Sequence, residues 1–118
     1  MCKIPGLRLN KFNIELLTER LDAATQWVQN NNDTKDLKIG YFGASTGVAA
    51  ALFGAASFRD VKAVVSRSGH TDLVDKKTQE DVKCPCLFIV GGNDEKVIEI
   101  NKKTLDKLTN VKVKDYKY

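Results

Sequence analysis

The chain is short of several things, and each shortage removes a class of function. Its 118 residues leave room for one domain at most. No apolar run approaches the roughly 20 residues a bilayer span needs. The most apolar segment, Val48 to Ala56, is too short and too rich in small side chains, so no membrane partner is expected. Met1-Cys2-Lys3-Ile4-Pro5 is not followed by an apolar signal core, and no secretory signal is expected. Cysteine is limited to Cys2, Cys84 and Cys86. An odd count with no signal points to a reducing, cytoplasmic setting. Cys84-Pro85-Cys86 lacks the second ligand pair of a structural metal site and the two-residue spacing of thioredoxin-like motifs. No metal is expected there, and core packing at a strand entry is the preferred reading. Histidine is scarcer still, with His70 alone. Arginine is confined to Arg8, Arg20, Arg59 and Arg67, and no aromatics are interleaved with a basic cluster. The formal charge of +4 therefore reads as a solvated lysine-rich surface, with no nucleic-acid partner.

What is present is an ordinary globular composition, 42% hydrophobic and 29% charged. Residues 1–11 read as a loop around Pro5-Gly6. Asn13 is a candidate N-cap for an amphipathic helix in which Ile14, Leu17, Leu21, Ala24 and Val28 recur at helical spacing. Phe12 and Trp27 are expected to cover a sheet. Leu37 to Phe42 predicts a strand, Gly43 to Gly47 a tight turn, and Val48 to Ala56 a helix packed closely on that sheet. Val61 to Val65 predicts a second strand, and residues 66–81 a polar connection with room for a helical turn. Cys86 to Val90 is continuously apolar, as in a strand covered on both faces. Glu95 to Leu108 predicts a helix with Val97, Ile98, Ile100, Leu105 and Leu108 apolar. Val111 to Lys114 predicts a last strand whose lysines suit a sheet edge. Strands alternating with helices imply βαβ units, hence an α/β fold with a parallel sheet of about four strands and flanking helices.

One motif carries chemistry. Gly43-Ala44-Ser45-Thr46-Gly47 fits G-x-S-x-G between a strand and a helix. A nucleophilic serine needs a sharp turn at the carboxyl end of a strand, and Gly43 and Gly47 relieve crowding around it. The N–H of Thr46 would then face a developing oxyanion. The alternative is a glycine-rich turn with an incidental serine. Gly91-Gly92-Asn93-Asp94 follows the most apolar strand directly. A carboxylate there can orient an imidazole, or it can cap the next helix. Arg67 suits either an anionic substrate or a local salt bridge.

The stretches Ile39 to Gly47, Val65-Ser66-Arg67-Ser68-Gly69, Asp72-Leu73 and Val90 to Asp94 together resemble the dienelactone hydrolase-like branch of the α/β-hydrolase superfamily. The likeness runs across most of residues 12–110. Members of this branch occur alone or fused to phosphoribosyltransferase-like domains. The resemblance implies a serine hydrolase of small-molecule esters or lactones, with no cofactor. Ser45 matches the nucleophile, Asp94 the acid and Thr46 the oxyanion-hole residue.

The chain also departs from that pattern. The family's histidine follows the strand after the acid, and the only histidine here, His70, lies in the loop after the second strand. Related sequences tend to carry an arginine-like residue at that position. His70 is thus a substitute base or a plain loop histidine. Only the C-terminal half of a hydrolase domain is expected over residues 1–118, truncated and weakly active or inactive because the triad histidine is absent. The first strand would have one bare apolar edge, which invites self-association. Two alternatives stand beside this reading. One is a catalytically dead remnant retained as an interaction module. The other is a dinucleotide-binding dehydrogenase fragment, disfavoured because Ala49 stands where a further glycine is required.

Overall fold

The computed structural model describes residues 11–58, 60–106, 108 and 113–117. The expected loop over residues 1–11 lies outside them except for Lys11, which opens a helix. This helix, α1, is Lys11–Asn30. It starts before Asn13, so Asn13 lies inside its first turn rather than capping it. Then come β1 (Ile39–Ala44), α2 (Gly47–Ser57), β2 (Val61–Arg67), a 3-10 turn (Thr71–Leu73), α3 (Lys76–Asp81), β3 (Cys86–Val90), α4 (Glu95–Leu105) and β4 (Val113–Lys117). The strands form one parallel sheet in the order β1-β2-β3-β4.

That order dictates where the helices lie. Each crossover steps one strand in the same direction. Right-handed crossovers then place every connecting helix on one face of the sheet. The burial follows this rule. Tyr41, Val64 and Cys86 pair across three strands at 7%, 1% and 4% exposure. The next row in register, Gly43, Ser66 and Phe88, is also buried. On the other face Phe42, Val65 and Leu87 share a row, and Phe42 is 66% exposed. β3 therefore alternates between buried and half-buried positions. The expectation that it is covered on both faces fails, because among the described residues no helix lies on that side.

The covered face is held by small residues. α2 buries Val48, Ala49, Ala50, Ala51, Leu52, Gly54 and Ala55, and it packs on β1 and β2 with α1 and α3 alongside. A Cβ at Gly54 would stand 2.9 Å from the Tyr41 ring, so glycine sets how closely α2 approaches β1. Thr25 of α1 donates its hydroxyl proton to the Leu21 carbonyl. The Tyr41 hydroxyl must therefore donate to Thr25 Oγ1 at 2.6 Å, which fixes α1 over the sheet. Complete burial of Phe88 and Leu52 stabilises the fold by about 1.5–3 kcal/mol per side chain.

Trp27 does not cover the sheet. It is 64% exposed. The packed stripe of α1 runs through Ile14, Leu21 and Thr25, and Trp27 stands about 200° round the helix from Thr25. The Phe12 side chain lies outside the described residues. Among the described residues β4 pairs only with β3 and sits at a sheet edge, two residues later in the chain than the alternation over Val111 to Lys114 suggested.

Candidate active site

β1 ends at Ala44 and α2 opens at Gly47, so Ser45 and Thr46 alone turn the chain from strand to helix. Ser45 takes φ 52°, a left-handed conformation that a residue with a Cβ adopts at a cost. Gly43 makes the turn sterically feasible. A Cβ there would lie 2.8 Å from Val48 Cα and 2.9 Å from the Gly47 carbonyl. The expected parallel role of Gly47 is absent, because a Cβ at Gly47 would meet nothing within 4 Å.

Both backbone groups of Ser45 are anchored. Its N–H donates to the Arg67 carbonyl at 3.1 Å, and its carbonyl accepts from the His70 N–H at 3.0 Å. The second bond brings the loop after β2 against the serine turn. The side chain of Ser45 stays exposed. Thr46 stands at the N-terminus of α2, where the first backbone N–H groups have no helical acceptor.

The loop bearing His70 is clamped from beneath by buried polar side chains. Asn101 Nδ2 donates to the carbonyls of Gly69 at 2.9 Å and Val97 at 2.8 Å. Thr104 donates to Thr71 Oγ1 at 2.6 Å, and Gln79 Nε2 donates to the Thr71 carbonyl at 3.1 Å. Asn101, Thr104, Thr71 and Gln79 are each at most 2% exposed. Gly69 is required here, since a Cβ would collide with Ser66 Oγ and stand 2.7 Å from Val48 Cγ2. The sequence reading missed this clamp because it sought an apolar stripe on α4. The buried stripe is Val97, Asn101 and Thr104, and polar residues four places after Val97 and three after Asn101 were the available signal.

Asp94 caps α4, its Oδ1 accepting from the Val97 N–H at 3.4 Å. It is exposed, and the long cap leaves the carboxylate open to a second donor. Capping and orienting an imidazole are therefore compatible in one residue. Ser45, His70 and Asp94 line a common cavity of about 530 Å³, together with Ser68, Asp72 and Lys96. Arg67 is exposed, and no carboxylate pairs with it among the described residues. No cluster of three potential metal ligands occurs among the described residues.

A parallel sheet backed by helices, with a serine turn between the first strand and a small-residue helix, is the architecture of an α/β hydrolase. Residues 6–117 match the dienelactone hydrolase family, and the chain belongs to that family. A dienelactone hydrolase structure from Anabaena variabilis superposes with a TM-score of 0.83 at 46% identity, over 93% of this chain and 51% of that one. A lipase-esterase related protein from Clostridium acetobutylicum superposes with a TM-score of 0.65 at 15% identity, over 85% of this chain and 66% of that one. At that identity it shows the fold alone. Proteins from two strains of Mycobacterium tuberculosis, provisionally named phosphoribosyl transferases, are 50% identical over 97 residues. That match takes in 81% of this chain and 22% of theirs. The chain thus spans about half of the solved dienelactone hydrolase and less than a quarter of these curated relatives.

Proposed function

We propose that this chain carries the nucleophile and acid of a serine hydrolase acting on small esters or lactones by acyl transfer. Ser45 attacks the carbonyl carbon, and the Thr46 N–H stabilises the oxyanion that forms. A histidine takes the serine proton and passes it to the leaving group, while Asp94 holds that histidine. Water then clears the acyl-enzyme. The observation that carries this reading is Ser45 at φ 52° on a strand-to-helix turn, facing one cavity with Asp94 and His70. Membership of the dienelactone hydrolase family favours it over the dinucleotide-binding alternative. So does the likeness to the Anabaena dienelactone hydrolase, 46% identical.

His70 is the only histidine of the sequence, and its position differs from the family's base. Turnover by this chain alone is therefore expected to be very weak or absent. Hydrolysis of an activated nitrophenyl ester tests this. Robust turnover abolished by Ser45→Ala would overturn the expectation of weakness and retain the nucleophile. Loss in His70→Ala as well would identify His70 as the base. Turnover unaffected by Ser45→Ala would defeat the assignment of Ser45.

A second reading rests on Phe42, 66% exposed on the uncovered sheet face. An inactive interaction module would use such a face. The bare outer edge of β1 would serve self-association in the same way.

A further inference from the structure

A second reactive locus lies at the opposite end of the sheet. Cys84 and Cys86 flank Pro85 at the entry to β3, with Cys84 at a bend just before the strand. Both are free and buried, at 8% and 4% exposure. The Cys86 thiol lies 3.4 Å from the Cys84 carbonyl, to which it donates. Cys84 lines a cavity of about 580 Å³ with Pro85, Phe58, Lys62, Asp81 and Lys83. Cys84 thus borders this cavity, and Cys86 is not among its lining residues.

We propose that Cys84 and Cys86 form a peroxide-reactive dithiol, in which Cys84 is the attacking sulfur and Cys86 the resolving one. The Cys84 thiolate attacks one oxygen of a hydroperoxide, and the O–O bond breaks. Sulfur is oxidised to a sulfenic acid, and the departing oxygen leaves as hydroxide or alkoxide and takes a proton. The Cys86 sulfur then attacks the Cys84 sulfur, the S–O bond breaks, and the hydroxyl leaves as water with the Cys86 proton. Two thiols and one hydroperoxide become one disulfide, one water and one further water or alcohol.

The electrostatics suit this division of roles. The neighbouring Cys86 side chain outweighs burial and holds the Cys84 thiol below its ordinary range. The same contact, with burial, pushes the Cys86 thiol up. The locus is independent of Ser45, which lies beyond the far end of a parallel strand.

The full chain is treated with one equivalent of hydrogen peroxide near neutral pH and digested with trypsin. Cys84 follows Lys83 and the next basic residue is Lys96, so both thiols fall in one peptide. The expected product is that peptide lacking two hydrogens and no longer open to alkylation. In Cys86→Ser the reaction should stop at a sulfenic acid on Cys84, captured by dimedone, and in Cys84→Ser residue 86 should stay a thiol. Before oxidation, iodoacetamide should modify Cys84 at least about tenfold faster than Cys86. Two thiols that still alkylate after peroxide, over-oxidation of Cys84 without a disulfide, or pairing to Cys2 would each overturn the proposal. Because the peptide is read in the unmutated chain, poor folding of either variant leaves the test intact.

Discussion

Replacing Ser45 by glycine separates the backbone of the turn from its chemistry. At φ 52° a residue with a Cβ carries about 1–2 kcal/mol of strain. Glycine removes that strain but costs about 0.5–1 kcal/mol in unfolded-chain entropy. The net gain for Ser45→Gly is about 0.5–1 kcal/mol, or roughly 2–4 °C in Tm for a chain of this size. Ser45→Ala removes the same hydroxyl and keeps the same Cβ, so it should leave Tm unchanged. The difference between the two variants therefore isolates the backbone. Ser68, at φ 49° after the next strand, supplies a control, and Ser68→Gly should gain a similar amount. Melting followed by circular dichroism reads all three, and any ester turnover the chain shows should be lost in both Ser45 variants. A Ser45→Gly protein no more stable than Ser45→Ala would refute the strained turn. The steric argument for a nucleophile there would fall with it.

The two motif glycines should also part company. Gly43→Ala should cost about 1–3 kcal/mol by overpacking against Val48, whereas Gly47→Ala should be neutral or stabilise by up to about 1 kcal/mol at the start of a helix; urea melts of both decide it. Burial, followed by the neighbouring Glu19, raises the Asp22 carboxyl above its ordinary range. A raised carboxyl favours folding in acid, and that contribution is lost as pH rises through the folded value. Asp22→Asn should therefore raise Tm at pH 7, with the gain vanishing below about pH 4; equal gains at both pH values would contradict this. Phe42→Lys should reduce self-association in sedimentation at tens of micromolar, and a wild-type protein already monomeric there would remove the premise.

How much of this was legible depended on the kind of signal. Strand and helix order followed from periodicity, because apolar spacing survives small boundary errors. β1 and β2 each run two residues past their expected ends, to Ala44 and Arg67. The first extension, Gly43-Ala44, has no large apolar side chain and the second, Ser66-Arg67, is polar; the ladder between Ala44 and Arg67 makes them strand. The turn at Ser45 was legible because glycine at 43 and a small-residue helix are local features. Gly47 was credited with the same steric role only by symmetry of the motif. Trp27 is exposed despite its size because its angle on α1 turns it away from the packed stripe, which the residue type alone does not reveal. The polar stripe of α4 was legible as spacing, but the partner of Asn101 was not, because it is the Gly69 carbonyl, 32 residues away.

The sheet itself constrains the catalytic reading further. Ser45, His70 and Asp94 each follow the carboxyl end of a different strand, and β1, β2 and β3 are consecutive neighbours. Adjacent strands lie about 4.8 Å apart, so the strand ends leading to Ser45 and Asp94 are roughly 10 Å apart. That separation rules out a direct hydrogen bond between strand-end positions, which needs about 2.8 Å. It suits a bridge made of one planar ring with a hydrogen bond on either side. The loop after β2 lies in that interval, tied to Ser45 by the His70 N–H and held from below by Asn101. Asn101→Leu should therefore loosen the His70 loop while leaving the Ser45 turn held by Arg67. If His70 is the base, turnover in that variant should fall mainly through kcat. If a histidine from another part of the protein fills the gap, His70→Ala should leave kcat unchanged, and hydrogen exchange at the His70 amide should rise in Asn101→Leu without any loss of turnover.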